Sequence, residues 1–263
     1  MKHLFEDWKK IQDRIRQAQH LLFFLDYDGT LTPIASSPEQ ALCPVEVKRY
    51  LQRLRDLPEV YIAVISGRSL EDVREKVGVS GIIYIGNHGL EIENPVGRHK
   101  KILSSARTKE LQRITRNLHR SLKEIPGILF EEKGPILAVH YRKAPKKFVA
   151  QIPQVIEKEL QQSRDHWKTA SGKMVSEIRP NVDFHKGKAV EDVLRTFSYQ
   201  GLLPIYLGDD RTDEDAFRVL KDLGISVFIG PGRFPSAADY FLRNPDEVQE
   251  FLSRCQEVRR EVH

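Results

Sequence analysis

Cysteine is scarce: Cys43 and Cys255 are the two thiols in 263 residues, far apart and without paired spacing. A disulfide framework is excluded, and two reduced thiols in a cytoplasmic protein are expected. Long apolar runs are missing as well. No stretch approaches the roughly 20 residues of a membrane span, and the N-terminus lacks the apolar core of a signal peptide. Charge of one sign is in small excess, +5 overall. The one basic stretch, Arg98 to Lys123, sets nine Lys/Arg against Glu110 alone and has no interleaved aromatics, so a nucleic-acid partner is not expected. A solvated helix face explains it, with steering of an anionic small molecule as the alternative. Repeats and low-complexity segments are absent too, and a monomer acting on a small molecule is expected.

What is present is a chain 40% hydrophobic and 30% charged, enough for one large or two smaller globular domains. Leu4, Trp8, Ile11, Ile15 and Ala18 form one helical stripe, the mark of an amphipathic helix packed on a core. Short apolar runs at 21–25, 60–65, 82–85, 202–207 and 225–229 alternate with helix-like segments. This rhythm predicts an α/β fold: a Rossmann-like parallel sheet core with helices on both faces. From about Lys101 to Asn181 the pattern changes. A helix (Thr108 to Lys123), strands (Ile128 to Glu132, Ile136 to Arg142), a helix (Lys146 to Gln161) and strands (Trp167 to Thr169, Met174 to Ile178) predict a small α+β cap domain with an antiparallel sheet. Asn94-Pro95-Val96-Gly97 and Pro180-Asn181 read as the joints. The expected division is a discontinuous core, 1–98 with 181–263, and an inserted cap, 99–180, that could serve as a lid.

The first apolar run ends in Asp26, skips one residue to Asp28, and breaks at Gly29. Alternation along a strand puts both carboxylates on one side. Their repulsion calls for a cation such as Mg²⁺, which prefers oxygen ligands, and for a phosphate group with it. In a parallel sheet all strand carboxyl ends share one edge. That edge would gather Asp26, Asp28 and Thr30; Ser66, Gly67 and Arg68; Asn87, His88 and Gly89; and the acidic run Gly208 to Asp215.

These residue types suit phosphoryl transfer from a monoester through an aspartyl phosphate. Asp26 would attack phosphorus, and Asp28 would protonate the leaving alkoxide and later take a proton from water. Asp26, the Asp28 backbone carbonyl and Asp209 would hold Mg²⁺. Ser66 and a lysine would bind phosphoryl oxygens. Lys186 is preferred for that lysine and Lys188 competes.

Asp26-Tyr27-Asp28-Gly29-Thr30-Leu31 resembles the first motif of the haloacid dehalogenase-like phosphatases. Ser66, Lys186 and Asp209-Asp210 fall, in order, where that superfamily has its other three, which adds Asp210 to the catalytic set. More narrowly, Gly208-Asp209-Asp210-Arg211-Thr212-Asp213-Glu214-Asp215-Ala216-Phe217 resembles the trehalose-6-phosphate phosphatase form of the fourth motif. Gly86 to Glu91, Glu131 to Gly134, Val139 to Arg142 and Gly172 to Pro180 look like the segments by which that family holds its sugar. The resemblance implies a Mg²⁺-dependent trehalose-phosphatase. It further implies that Glu131, Lys133, Arg142, Lys173 and Glu177 contact glucose hydroxyls while Arg68, Asn87 and His88 line the core side. From the residues alone His88 is as readily structural, and His140, His166 and His185 lean structural. Phosphatases for sucrose 6-phosphate or mannosylglycerate phosphate, a phosphosugar mutase and a phospho-accepting receiver-like module are the alternatives.

Overall fold

The computed structural model describes residues 1–35, 40–95, 99–101, 103–172 and 174–262. Val96 and Gly97 of the first joint, and Lys173 of the insert, lie outside them. Contacts divide the chain into two compact units, Met1–Lys100 with Phe184–His263, and Lys101–Asp183.

The first unit is built on strands β1 (Lys2–His3), β2 (His20–Asp26), β3 (Val60–Ile65), β4 (Ile83–Gly86), β5 (Glu91–Glu93) and β6 (His99–Lys101). Beyond the insert come β11 (Leu202–Gly208), β12 (Ile225–Ile229) and β13 (Tyr240–Leu242). Among the described residues these form one sheet in the order β1-β13-β12-β11-β2-β3-β4-β5-β6. Pairing is parallel from β1 through β4 and then turns antiparallel between β4 and β5. The expected parallel core with helices on both faces is present, and it carries an antiparallel extension at β5. Parallel neighbours need a crossover of about a dozen residues, and the short Asn87–Gly89 turn allows only a reversal.

Period-two alternation on the central strand explains the layers. Leu21, Phe23 and Leu25 of β2 join one buried cluster with residues of α1 (Trp8–Gln17), α2 (Val45–Arg55), α3 (Leu70–Val77) and α9 (Pro245–Arg260). Leu22 and Phe24 join the other, against α7 (Lys186–Thr196) and α8 (Glu214–Leu220). All five side chains are fully buried, each contributing roughly 1.5–3 kcal/mol relative to exposure. Both faces of the strand are thus committed to packing, and polar chemistry is left to its end. The N-terminal stripe is only partly α-helical: Leu4 sits in a 3₁₀ turn and Ala18 is already extended beyond α1.

The second unit sets α4 (Ser105–Leu122), α5 (Lys146–Val149) and α6 (Gln151–Leu160) on an antiparallel sheet. Its strands β7 (Leu129–Lys133), β8 (Ile136–His140), β9 (Trp167–Gly172) and β10 (Val175–Pro180) take the order β7-β8-β10-β9. Leu111, Ile114 and Leu118 of α4 and Ile152, Ile156 and Leu160 of α6 cover Leu137, Val139, Trp167 and Ile178. The single helix expected over 146–161 is split at Ala150. Pro153 explains the break: its ring crowds the preceding turn and it has no N–H for the Val149 carbonyl. Among the described residues no helix is long and apolar enough to cross a membrane.

Candidate active site

Asp26 closes β2 and is buried, while the chain beyond it folds back as Leu31 and Thr32 donate their N–H groups to the Tyr27 carbonyl. Tyr27 turns into the core and donates its hydroxyl to the Ala41 carbonyl at 2.8 Å, which leaves its two acidic neighbours outside that core. Gly29 has φ 88°, and a Cβ there would lie 2.0 Å from Asp209 Oδ2. The glycine of this turn is thus what lets the β11 loop approach β2.

Lys186, the first residue of α7, is buried between carboxylates: Nζ donates to Asp26 Oδ1 at 2.6 Å and to Asp213 Oδ1 at 2.7 Å, with Asp210 Oδ1 at 3.9 Å. Burial pulls its pKa down, but Asp26 and Asp213 outweigh that and raise it, so the ammonium form persists. Lys188 turns instead to Glu191, with Nζ 3.0 Å from Oε2.

Asp213 organises the loop after β11, a role that sequence reasoning did not give it. Its Oδ1 accepts from Lys186 and from the Tyr206 hydroxyl at 2.6 Å; its Oδ2 accepts the backbone N–H groups of Asp209 and Asp210, both at 3.0 Å. Both oxygens are saturated. A side chain at Gly208 would place its Cβ 2.3 Å from Asp213 Cγ, so this approach also needs a glycine. The available signal was a carboxylate four positions after Asp209, with Tyr206 three positions before it.

Asp26, Asp209 and Asp213 each bring a carboxylate oxygen to within 4.8 Å of the others, the one group among the described residues able to hold a metal ion. Burial pushes Asp26 well above the usual carboxylate range, Lys186 offsetting only part of it. Burial and then the charges of Asp213 and Asp210 push Asp209 up to about 7. Burial raises Asp213 as well. Three crowded acids served by one lysine form a site with unmet negative charge. Asp210 differs: Lys186 and the Thr212 hydroxyl and N–H outweigh burial and lower its pKa, and Oδ1 accepts both Thr212 groups at 2.6 and 2.7 Å.

The Asp28 side chain is outside the acidic group and turns to Arg68. Ser66 is buried at the end of β3, its hydroxyl accepting from Arg68 N at 3.1 Å. Asn87 and His88 have φ 51° and 56°, a left-handed conformation costing about 1–3 kcal/mol each. Packing holds them: Asn87 N donates to Arg68 O at 2.7 Å, His88 N to Ser66 O at 2.9 Å, and Asn87 Nδ2 to Glu91 Oε2 at 2.9 Å. The His88 ring packs on Gly67, where a Cβ would lie 2.6 Å from its Cε1.

In the second unit the register sets Glu131, Ala138, Glu177 and Ala170 in one row across four strands. Lys133 Nζ lies 3.3 Å from Glu131 Oε2 and 3.9 Å from Glu177 Oε1, so three of the residues expected to contact sugar converge. His140, whose Nε2 is 2.8 Å from Glu131 Oε2, and Arg179, paired with Glu177, extend this charged surface. Arg142 does not join this row. β8 ends at His140 and leaves it exposed in the following turn. Lys173 lies outside the described residues.

A family model described as trehalose-phosphatase matches residues 24–246. Trehalose-phosphate phosphatase B of Arabidopsis thaliana is 33% identical over 261 residues, covering 94% of this chain and 69% of its own length. A trehalose-phosphate phosphatase of Mycobacterium bovis is 37% identical over 246 residues, covering 91% of this chain and 62% of its own. The chain therefore spans about two thirds of these relatives. The solved trehalose-6-phosphate phosphatase of Aspergillus fumigatus superposes with a TM-score of 0.70 at 27% identity, covering 98% of this chain and 99% of that one. With the match running through the sheet core and the inserted unit alike, the chain belongs to the trehalose-phosphatase family and carries its haloacid dehalogenase-like fold.

Proposed function

We propose that this protein hydrolyses trehalose 6-phosphate to trehalose and inorganic phosphate. The observation that carries the reading is Lys186 buried between Asp26 and Asp213, with Asp209 alongside: a nucleophile, a fixed cation and unmet negative charge at one sheet edge. A carboxylate oxygen of Asp26 attacks phosphorus as the bond from phosphorus to the sugar oxygen breaks. Asp28 gives that oxygen its proton. A water then loses a proton to the Asp28 carboxylate and displaces Asp26 from phosphorus, releasing phosphate and restoring the Asp26 carboxylate and the protonated Asp28. Lys186 holds Asp26 by one oxygen and stabilises charge on the transferring group, and the Ser66 hydroxyl donates to a phosphoryl oxygen.

The all-oxygen donor set and its unmet charge fit Mg²⁺. Asp26 and Asp209, with the Asp28 carbonyl, would hold it; Asp213 is spent on four donors and serves to place Lys186 and the loop. When bound, the ion neutralises the repulsion between nucleophile and phosphate.

Glu131, Lys133 and Glu177 offer donors and acceptors to a polyol, with Arg142 and Lys173 as further donors. Arg142→Ala is expected to raise KM for trehalose 6-phosphate by about 10-fold or more, the worth of a hydrogen bond to a charged group. Hydrolysis of p-nitrophenyl phosphate is expected to be unchanged. Equal losses on both esters would argue against a sugar contact.

Phosphate release from trehalose 6-phosphate, sucrose 6-phosphate and glucose 6-phosphate, with Mg²⁺ and with EDTA, tests the whole reading. Strong Mg²⁺-dependent preference for trehalose 6-phosphate is expected, with activity lost in EDTA. Even rates across the panel would remove the sugar assignment. Release from no ester would remove the phosphatase.

A further inference from the structure

Arg68 is tied down on every side. Its Nε and one terminal nitrogen donate to Asp28 Oδ2 and Oδ1, both at 2.7 Å, and its other terminal nitrogen donates to Asp72 Oδ2 at 2.7 Å. Its guanidinium lies 5.4 Å from the centre of the buried Tyr27 ring. Its backbone is held by Asn87 N and by the Ser66 hydroxyl. Asp72 is fixed in turn at the start of α3, where its N–H donates to the Ser69 hydroxyl at 3.2 Å. The Arg68 side chain is 10% exposed, whereas Asp28 is 42% exposed.

A carboxylate that open to solvent has several rotamers available. One planar fork on both of its oxygens selects a single orientation, which an ammonium cannot do. We infer that Arg68 is the positioning residue for the acid/base Asp28, with Asp72 as its outer anchor. The inference rests on the reading of Asp28 as acid/base. Arg68 acts through Asp28 and not on the ester, so its loss falls on the step in which the leaving oxygen needs a proton. That loss deepens as the leaving group becomes poorer.

The test compares wild type, Asp28→Asn, Arg68→Lys and Asp72→Asn on phenyl phosphate and p-nitrophenyl phosphate, reading kcat/KM, which reports transfer to Asp26. Neither ester carries a sugar, and p-nitrophenolate departs without a proton. For Asp28→Asn the loss is expected to be about 10²-fold or more greater on phenyl phosphate, the size of a general-acid contribution. Arg68→Lys should follow with a gap of about 10-fold or more, since a 1 Å misplacement alone can cost about 10²-fold. Asp72→Asn should widen the gap in the same direction by less, with KM little changed. Equal losses on the two esters, or a rise in KM alone, would overturn the inference by placing Arg68 on the phosphate. If Arg68→Lys fails to fold, Asp72→Asn decides, and no widened gap in it overturns the proposal. If Asp28→Asn itself treats both esters alike, the acid/base reading fails independently, shown by a variant that keeps Arg68.

Discussion

Asp26→Asn is expected to abolish turnover, by about 10⁴-fold or more as for other enzymes stripped of a nucleophile, while the protein stays folded. The amide is isosteric and a far weaker nucleophile than an ionised carboxylate, so no covalent phosphoryl intermediate can form. Stability should hold for three reasons. Lys186 keeps its 2.7 Å bond to Asp213. The amide oxygen can still accept from Lys186. A charge whose burial is unfavourable is removed from beside Asp209 and Asp213. Phosphate release and a thermal melt on the same sample check both halves. Substantial residual turnover would sink the covalent mechanism, and an unfolded variant would show that Asp26 is structural.

Asp213→Asn is expected to damage fold and activity together. The aspartate is fully buried and accepts two donors on each oxygen. An asparagine of the same shape has one acceptor oxygen, so its NH₂ must face either Lys186 and the Tyr206 hydroxyl or the two loop N–H groups. Donor then meets donor. Breaking a buried ion pair on one side costs about 3–5 kcal/mol, which for a chain of this size lowers Tm by roughly 6–20 °C at about 2–4 °C per kcal/mol. Activity should fall about 10²-fold or more, because Lys186 and the Asp209 loop both lose their anchor. Thermal melts and kcat check it. A melt within a degree of wild type, with activity retained, would show that the four hydrogen bonds contribute nothing that an amide cannot replace.

Much of this was legible because it is local. The apolar run of β2 with Asp26, Asp28 and Gly29 at its end states a buried strand and an acidic turn within about ten residues. The five apolar runs that predict the core strands all form strands in the structure. The α+β insert could be read from the alternation of its own elements, apart from the break at Ala150. What escaped was non-local: Asp213 meets Lys186 across 27 positions and Arg68 meets Asp28 across 40. Neither pairing leaves a mark in either neighbourhood. The antiparallel β5 was missed because its three residues, Glu91 to Glu93, carry only one buried apolar side chain.

By itself, then, the sequence determined the two kinds of unit, the central strands and the acidic turn, because hydrophobic periodicity and a glycine turn act within a few residues. Only the tertiary structure decided that Lys186 and not Lys188 sits among the carboxylates, because the first turn of α7 directs one of them inward and the other to Glu191. It also decided that Arg68 is engaged by Asp28 and Asp72, and that Glu131 and Glu177 flank Ala138, since both depend on chain segments brought together by packing and strand register.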